Sequence, residues 1–573
     1  MKRILFFVHY NKYDGLSDHV LYLLQHIKHI YTRIVFISNS PIDEEQNKRL
    51  DGLYNKIILR ENKGFDFGAW RDAILEEGWD EVAEYDNLTI MNDTCFGPLY
   101  DMEPIYLEME QKDIDFWGMT NHRQSERGMP GTNGPVPEHI QSFFISFNKN
   151  VVVSKSFRSF WCNVKYHKNV NNVIRKYETQ FTLKLLTAGF KYYVFFNTLN
   201  IKHYHFNLAN LQPDLCLNNK LPLVKIKSFT CFQYPKYVIK LIQEKSNYPV
   251  SLIYDYFNEV YDPNTSLFIE DKLITAQEKQ IEISYNEKIA IHLHVFYLDI
   301  FEKYVSIFDT FNINIDLFIT TDSAEKKEQI LNYVKNHICF KNIKEILVFE
   351  NRGRDILPWL LIADKLNSYD IAGHFHTKKT VGADEWIGIT WQNEIFDLLL
   401  KSIGNIIDTF KSNNKIGIII PQIPYCFHIL DPIKYSEDKN MKYMMKEFWN
   451  KLNCKKQINF DKLSTLLFPR GTMFWYKPKA LEKLFNLKLK SDDIQVEPIS
   501  SKCTLLHCIE RMLVYISWNM GYDYRIMVPE KQITSNFEDN SIFNTKILNS
   551  KDYKLGKFIL TIPRLCKKSE VTK

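Results

Sequence analysis

A ten-residue phrase occurs twice in the chain, as ENKGFDFGAW at residues 61–70 and as ENRGRDILPW at residues 350–359. In both copies Glu, Asn, a cation, Gly, Asp and Trp stand in the same register, directly after a short apolar run. This pattern is typical of a strand that turns at Gly and enters a helix, since Gly allows a backbone shape that a Cβ would block. We expect each copy at the carboxyl edge of an α/β sheet, where such sheets bind ligands.

A strand-to-helix turn without any ligand is the alternative for a single copy. The repetition of Asp five residues after Glu, and of Trp nine residues after it, makes that alternative weaker. Similarity at a fixed spacing is the first feature to seek in a long chain, because it reveals duplicated structure.

The segments before the phrase predict alternating strands and helices in both halves. The first half has them over residues 4–8, 17–30, 33–38, 41–53 and 57–59. The second half has them over residues 289–293, 298–311, 315–320, 323–338 and 346–349. Short connections in the order β-α-β-α-β predict a parallel sheet in each half.

The correspondence continues beyond the phrase. Asn92 and His376 each follow a Tyr by seven residues, and both lie at the end of a predicted strand. Glu178 and Glu510 each precede a Gly by eleven residues, and a helical apolar pattern lies between them. A longer interval in the second half indicates an insertion around residues 425–466.

Size and composition limit the classes of protein to consider. The chain has 573 residues, too many for one core, with 45% hydrophobic and 25% charged residues, as in ordinary globular proteins. The net charge of +5 is small and no basic run carries interleaved aromatics, so nothing indicates nucleic acid. The ten Cys form no Cys-x-x-Cys pair, and the start of the chain predicts a first strand rather than a signal peptide. We expect free thiols and a cytoplasmic protein.

We predict four regions. They are a first module at 1–205, a structured linker at 206–287, a second module at 288–550 and a basic, amphipathic tail at 551–573. Apolar residues flanked by Lys and Arg in the tail are typical of an interfacial membrane anchor, and a packed strand or helix is the alternative.

Asp93 is the candidate metal ligand of the first half. It follows an apolar strand and precedes a Gly-Pro turn. Mg²⁺ prefers one or two carboxylates together with phosphate oxygens, so this position suits an ion that bridges a diphosphate. A plain Asn-Asp-Thr turn is the alternative.

Glu178 and Glu510 are the candidate general bases, each expected at the start of a helix. A carboxylate there would take the proton from an attacking hydroxyl, or would only complement the helix dipole. His376 and Lys378 stand where the first half has Asn92 and Thr94. Cations at that place would hold a diphosphate without a metal, unless the segment is only a solvated basic turn.

Several longer motifs resemble the rhamnan synthesis protein F family. They are VHYN at 8–11, the phrase with the following Arg-Asp, MNDTCFGP at 91–98, FWGMTN at 116–121, HIQS at 139–142, YETQ at 177–180, HFHTK at 374–378 and RGTMFW at 470–475. The resemblance covers the first half closely and continues through the second.

The resemblance implies two tandem GT-A-like, Rossmann-like α/β modules and a bacterial rhamnosyltransferase for cell-wall or capsular polysaccharide. It implies dTDP-L-rhamnose as donor, a lipid-linked glycan at the inner membrane face as acceptor, and Mg²⁺ or Mn²⁺ at an Asp-x-Asp-type turn. One carboxylate, Asp93, stands at that turn, and the second half has none. We therefore expect metal in the first module only. The expected donor-binding residues are Glu61, Asn62, Gly64, Asp66, Asn92, Glu350, Asn351, Gly353, Asp355, His376 and Lys378.

Two other functions compete with this interpretation. One module would be a glycan-binding or scaffolding unit that lost its activity after duplication, a hypothesis favoured by the absence of an Asp in the second half. A nucleotidyltransferase would require a Gly-rich basic loop after the first strand, and YNKY at residues 10–13 is not such a loop.

Overall fold

The computed structural model describes two compact units, Met1–Tyr261 and Asp262–Lys573. The described residues are 1–529 without 127–133, 203–206, 232–233, 278–286, 312–313, 380–384, 425–438, 464–465 and 501–502. The predicted tail at 551–573 and much of the predicted insertion lie outside the described residues. Within the described part, no helix is both long and apolar enough to span a membrane.

The first unit is built on an eight-stranded mixed sheet. Its strands and one short additional strand are β1 (Arg3–His9), β2 (Arg33–Ser38), β3 (Lys56–Leu59), β4 (Asn87–Asn92), β5 (Cys95–Phe96), β6 (Phe116–His122), β7 (His139–Ile140), β8 (Phe144–Asn148) and β9 (Tyr192–Phe196). The order across the sheet is β3-β2-β1-β4-β8-β6-β7, and β9 also pairs with β6. Strands β1 to β4 are parallel, and β8 is antiparallel to β4 and β6.

Helices cover both faces of this sheet. They are α1 (Asp18–Ile27), α2 (Glu44–Arg49), α3 (Phe65–Glu77), α4 (Trp79–Val82), α5 (Glu103–Glu110), α6 (Lys149–Val152), α7 (Lys155–Cys162), α8 (Val170–Val173), α9 (Thr179–Thr187), α10 (Leu208–Leu211), α11 (Pro213–Asn218), α12 (Ile226–Cys231), α13 (Pro235–Lys245) and α14 (Ser251–Val260). Because β1 is buried on both faces, its sequence is a continuous apolar run: Phe6 packs with Trp70 of α3, and Phe7 belongs to the core on the α1 side.

The second unit has a sheet of the same design. The strands of this sheet are β11 (Leu273–Thr275), β12 (Ile289–Val295), β13 (Ile315–Thr321), β14 (Ile343–Val348), β15 (Ile371–His376), β16 (Ile416–Pro421), β17 (Phe474–Tyr476) and β18 (Asp523–Val528). The strand before them, β10 (Val224–Lys225), belongs to the first unit and pairs with β5. The order is β14-β13-β12-β15-β17-β16-β18-β11. Strands β12 to β15 are parallel and β17 is antiparallel to both neighbours, as β8 is in the first unit. Each half is therefore an α/β unit with a mixed sheet of one shared topology.

The helices of the second unit follow the same alternation. They are α15 (Pro263–Ile269), α16 (Leu298–Phe308), α17 (Ala324–Val334), α18 (Ile356–Leu361), α19 (Ala363–Leu366), α20 (Glu385–Ile395), α21 (Ile403–Ser412), α22 (Lys439–Lys451), α23 (Glu482–Phe485) and α24 (Leu505–Asn519). Ser323 caps α17 as its position predicts, with Oγ accepting from the Lys326 N–H at 3.2 Å.

The predicted alternation of strands and helices before the phrase is confirmed in both halves. The largest difference is α2, which has six residues instead of the predicted segment 41–53. It begins after Asp43, whose side chain accepts from Gln46 N, so a capping box fixes its start. In the predicted linker, β10 spans only Val224–Lys225, and α12 follows directly.

Residues 206–287, predicted as a linker, divide between the two units. In the first unit, α14 contributes Glu259, whose carboxylate accepts from Asn11 Nδ2 at 2.9 Å and from Ser17 Oγ at 3.0 Å. In the second unit, β11 covers the edge of β18. There the fully buried Lys272 donates to Asp523 at 2.8 Å and to Glu270. This region therefore completes each sheet and its loops.

The two phrases have the same backbone shape. Gly64 and the residue after it, Phe65, have φ of 75° and 56°, and Gly353 and Arg354 have φ of 74° and 53°. One turn later, the Gly68 N–H donates to the Gly64 carbonyl at 3.0 Å, and the Leu357 N–H donates to the Gly353 carbonyl at 3.1 Å. This shape turns the chain into the helix, with five residues between β3 and α3 and seven between β14 and α18.

We expect Gly64→Ala and Gly353→Ala to destabilise their units by about 3 kcal/mol, because an added Cβ is strained at positive φ and also clashes. At Gly353 the Cβ would lie 2.4 Å from Leu357 Cβ. Gly52→Ala and Gly521→Ala are the matched controls, with positive φ and open space, and are expected to cost about 1 kcal/mol. Urea unfolding measures all four; equal losses for phrase and control variants would contradict the steric account.

Candidate active sites

The first unit brings Asp66, Asn92 and Asp93 together at the carboxyl edge of its parallel strands. Asn92 ends β4, and its Nδ2 donates to Asp66 Oδ2 at 3.1 Å. Asn92 Oδ1 accepts from Thr94 Oγ1 at 2.6 Å, which fixes the orientation of the amide. Asp93 Oδ2 accepts from the Tyr10 N–H at 2.7 Å, just beyond β1. Three residues predicted to act together therefore do lie together.

Negative charge in this cluster has no positive partner among the described side chains. Burial, and next the nearby Glu178, raise the pKa of Asp66 to about 6. Burial, with a smaller effect of Asp66, raises the pKa of Asp93 to about 7. Carboxylates without a positive partner bind an incoming cation favourably, because the cation supplies the positive charge that neighbouring side chains do not.

Glu178 lies next to this cluster in a helical segment with a π-helical turn. The turn spans Ile174–Glu178 between α8 and α9, so Glu178 is inside a continuous helical stretch. Its Oε1 accepts from the Ser142 N–H at 3.3 Å. π-Turns are uncommon and occur often at functional sites, where they redirect a side chain.

Two histidines near Glu178 were not among the predicted site residues. His122 ends β6 and His139 begins β7, and their rings stack with centroids 5.6 Å apart. Burial lowers the pKa of both rings, and Glu178 acts in the opposite direction. The quoted motif HIQS already contained His139, but only the pairing of β6 with β7 shows its neighbour.

The remaining predicted residues of the first phrase differ in position. Asn62 Oδ1 is buried and has no hydrogen-bond partner in the described part of the chain. Gly64 forms the turn described above. Glu61 is exposed and pairs with Lys63 at 2.6 Å, so the structure does not bring it into the cluster.

The second unit surrounds its phrase aspartate with imidazoles. Asp355 Oδ2 lies 3.4 Å from His374 Nε2 and 3.7 Å from His376 Nε2. Burial would raise the pKa of Asp355, but His376 and His374 outweigh burial and hold it well below its ordinary value. The aspartate at this position of the repeat therefore has a raised pKa in the first unit and a lowered pKa in the second.

Glu510 is held as Glu178 is, by a backbone amide of the preceding loop. Its Oε1 accepts from the Gly471 N–H at 2.7 Å. The expectation that Glu510 starts a helix is wrong, because α24 begins at Leu505 with Thr504 as its cap and Glu510 lies in the second turn. Arg511 forms an ion pair with Glu510 at 3.0 Å, a partner that Glu178 lacks in the described structure.

Lys378 follows His376 by two residues and lies near this cluster. Its Nζ lies 3.9 Å from the centroid of the Trp391 ring. Burial lowers its pKa, while Glu510 and Asp355 act in the opposite direction. Glu350 and Asn351 are exposed, so the predicted donor-binding residues near one another are Asp355, His376 and Lys378.

The carboxylate and amide oxygens of Asp66, Asn92 and Asp93 are the ligand type that a hard divalent cation prefers. In the described part of the chain, no group of three His, Cys, Asp or Glu side chains is preformed to hold a metal. Asp93 would therefore hold the ion with oxygens of a bound diphosphate, as Mg²⁺ sites commonly do. Burial raises the pKa of Asp93, and a cation bound there would favour its ionised form.

Each unit carries a polar cluster at the carboxyl edge of its parallel strands, the place where open α/β sheets commonly bind ligands. A family model described as rhamnan synthesis protein F matches residues 34–522. The chain belongs to this family, which confirms the resemblance seen in its motifs.

Curated relatives share less sequence. The uncharacterized protein y4gN of Sinorhizobium fredii is 27% identical over 176 residues, covering 31% of this chain and 44% of the relative. The uncharacterized protein WxcX of Xanthomonas campestris pv. campestris is 28% identical over 226 residues, covering 39% of this chain and 30% of the relative. The chain thus matches less than half the length of these relatives.

Solved structures align weakly. The glycosyltransferase GlyE of Streptococcus pneumoniae TIGR4 gives a TM-score of 0.24 at 12% identity, covering 66% of this chain and 87% of that one. The mannosyltransferase Ktr4p of S. cerevisiae in complex with GDP gives 0.19 at 9% identity, covering 28% and 60%. Superpositions at this level do not define a shared fold.

We expect the stability of Asp93→Asn relative to wild type, without metal, to increase by about 2–3 kcal/mol from pH 5 to pH 8. The folded-state pKa of about 7 lies above the ordinary 3.8, so the folded wild type holds an extra proton between these values. Wild type therefore loses the stabilisation that this proton provides progressively as pH rises from 3.8 to about 7, whereas Asn has no proton to lose. Urea unfolding in EDTA measures the difference.

The exposed Asp51→Asn is the control for this experiment. A difference between Asp93→Asn and wild type that stays constant from pH 5 to pH 8 would contradict an uncompensated charge at Asp93.

Proposed function

We propose that the chain is a glycosyltransferase that moves L-rhamnose from a nucleotide diphosphate donor, dTDP-L-rhamnose, to a lipid-linked glycan during cell-wall or capsular polysaccharide synthesis. The observation that carries the proposal is the cluster of Asp66, Asn92, Asp93 and Glu178 at the carboxyl edge of parallel strands, in a chain of the rhamnan synthesis family. A lipid-linked glycan as acceptor would place the reaction at the inner face of the membrane.

In the first unit, Glu178 is the proposed general base. An acceptor hydroxyl attacks the anomeric carbon in line, its proton passes to Glu178, and the bond from that carbon to the diphosphate oxygen breaks. The electron pair leaves with the nucleotide diphosphate, and the configuration inverts. The Ser142 N–H holds the carboxylate in one orientation, which favours proton transfer in a fixed geometry.

Charge develops on the leaving diphosphate, and the polar edge of the first unit is where it would be stabilised. Mg²⁺ or Mn²⁺ held by Asp93 supplies positive charge to the leaving oxygens when bound. Asn92 and Asp66 order the turn beside it through the amide-to-carboxylate hydrogen bond of 3.1 Å. Preorganised groups of this kind act without a reorganisation cost during the reaction.

In the second unit, the proposed counter-charge comes from the protein itself. Lys378 lies near Asp355 and Glu510 and would hold a diphosphate directly, with His376 beside it. Glu510 is the corresponding base, and the Gly471 N–H orients it. This unit would then transfer sugar without a metal.

A second candidate role for this unit is binding without catalysis. The ion pair of Glu510 with Arg511 favours it, because the guanidinium occupies a carboxylate oxygen that would otherwise be open to an acceptor hydroxyl. A unit of this kind would hold the nucleotide or the growing glycan for the first unit.

The assay that tests the proposal uses the full chain, a rhamnosyl-lipid acceptor and a panel of nucleotide sugars. We expect mass spectrometry of the lipid product to show sugar added from dTDP-L-rhamnose. Addition from another donor would correct the sugar, and no addition from any donor would refute the transferase.

We expect metal to be needed for the step of the first unit only. EDTA and Asp93→Asn are each expected to suppress one linkage, because both remove the charge that stabilises the leaving diphosphate. The other linkage, made by the second unit, is expected to persist in EDTA. Linkage analysis of the product measures both; full activity of Asp93→Asn in EDTA would contradict the metal.

We expect Glu178→Gln and Glu510→Gln to slow different transfer steps, each by about 10²–10⁴-fold, the usual contribution of a general base. Each variant would stall the product at its own intermediate, which mass spectrometry identifies. The exposed Glu45→Gln is the control. If Glu510→Gln makes wild-type product at the wild-type rate while Glu178→Gln makes none, the second unit binds rather than catalyses.

A further inference from the structure

The second unit contains four buried histidines on facing positions of two strands. His292 and His294 alternate along β12, and they pair in register with His374 and His376 of β15. All four are at most 6% exposed. Alternate positions of a strand share one face, so the four rings lie on the same side of the sheet.

The first unit has a mostly apolar set in this place. Asn92 and His376 correspond in the repeat, and Val8 pairs with Asn92 as His294 pairs with His376. The same register makes Phe6, Ile90 and Ile37 the counterparts of His292, His374 and Thr320. Buried polar groups cost stability unless they are hydrogen-bonded, so the polar set needs partners that the apolar set does not.

Those partners form one continuous chain of hydrogen bonds. Asp355 Oδ2 lies 3.4 Å from His374 Nε2, and the Nδ1 atoms of His374 and His292 are 2.9 Å apart. Thr320 Oγ1 lies 2.9 Å from His292 Nε2 and 2.9 Å from His294 Nδ1. The series of hydrogen bonds thus runs from Asp355 to His294 without a break.

The carboxylate fixes the direction of every bond in this chain. Asp355 only accepts, so His374 donates from Nε2–H and accepts at Nδ1. His292 then donates from Nδ1–H and accepts from the Thr320 hydroxyl, which in turn accepts from His294 Nδ1–H. Burial lowers the pKa of all three rings, that of His294 to about 4, so each carries one proton at neutral pH.

His294 is consequently left with a lone pair at Nε2. This atom has no hydrogen-bond partner among the described residues. His294 lies one residue before the carboxyl end of β12, opposite His376, and the charged or titratable groups around it are Asp355, Asp322, His374 and His376. The lone pair is therefore next to the proposed diphosphate site of this unit.

We propose that His294 is a ligand-binding residue of the second unit, whose Nε2 accepts a hydrogen bond from an O–H or N–H group of the sugar nucleotide. Thr320, His292 and His374 are positioning residues that hold it in the Nδ1–H tautomer. The proposal rests on the proposed function for the class of ligand, whereas the tautomer follows from the hydrogen bonds alone. Since Val8 cannot accept a hydrogen bond, the two units would recognise their ligands differently.

The test uses the full chain with ¹⁵N-labelled histidine. Signals are assigned from those lost in His294→Gln and His376→Gln. Long-range ¹⁵N–¹H spectra at pH 7 are expected to show His294 as the Nδ1–H tautomer, and its Nε2 signal is expected to move when dTDP-L-rhamnose is added. Calorimetry of the same titration measures binding to the chain as a whole.

Thr320→Val removes the hydroxyl but keeps the shape of the side chain. We expect it to release His294 into a mixture of tautomers and to weaken nucleotide binding, followed at the His376 signal, by about tenfold. Thr321→Val is the matched control, because Thr321 is equally buried but donates to the Val295 carbonyl instead. It is expected to change neither quantity.

A wild-type His294 that carries its proton on Nε2, or on both nitrogens, would overturn the proposal whatever the ligand. Equal affinities of Thr320→Val and Thr321→Val would also overturn it, as would a His294 signal that stays fixed while calorimetry shows binding. If calorimetry detects no binding at all, the nucleotide sugar fails as the ligand, and with it the donor named in the proposed function.

Discussion

A buried carboxylate at the start of one helix is the constraint around which each unit is arranged. Asp66 and Asp355 occupy the same place of the repeated phrase, where a left-handed pair of residues turns the chain from strand to helix. The turn fixes the carboxylate at the carboxyl edge of the parallel strands, and burial penalises its charge. The next strand must therefore offer a donor, and it does so with Asn92 in one unit and with His374 and His376 in the other.

The two donors lead to different electrostatics on one topology. An amide compensates a carboxylate weakly, so Asp66 keeps a raised pKa, and Asp93 and Glu178 add negative charge beside it. Imidazoles and Lys378 hold Asp355 ionised. The cluster of the first unit therefore favours the binding of a cation, whereas that of the second contains its own cationic side chain. The two clusters differ at only a few positions of equivalent strands. Such a difference is a physical basis for unlike tasks in the two halves, which identical sites would not provide.

Much of this arrangement could be predicted from the sequence, because the phrase, the apolar runs and the spacing of Asn92 and His376 are local signals. The spacing also identified Glu178 and Glu510 as an equivalent pair, but it did not predict the loop amides that hold them. The hydrogen-bonded histidines were not, although β12 shows His at alternate positions of an apolar run. The four rings become a network only when β12 lies between β13 and β15, and no local pattern reports that neighbourhood. Glu510 was misplaced because Thr504 caps α24 one turn earlier than expected.

The position of β11 matters for any attempt to study one half alone. A fragment that begins at residue 288 loses Lys272 and Glu270. Asp523 then keeps Arg525 as a partner but loses the fully buried Lys272, and a broken buried pair costs about 3–5 kcal/mol. It also leaves the edge of β18 open to pairing with other molecules, a common route to aggregation. A fragment that ends at residue 205 loses Glu259 from the loop after β1. The boundary between the two compact units lies between Tyr261 and Asp262, inside the region that motif spacing predicts as a linker.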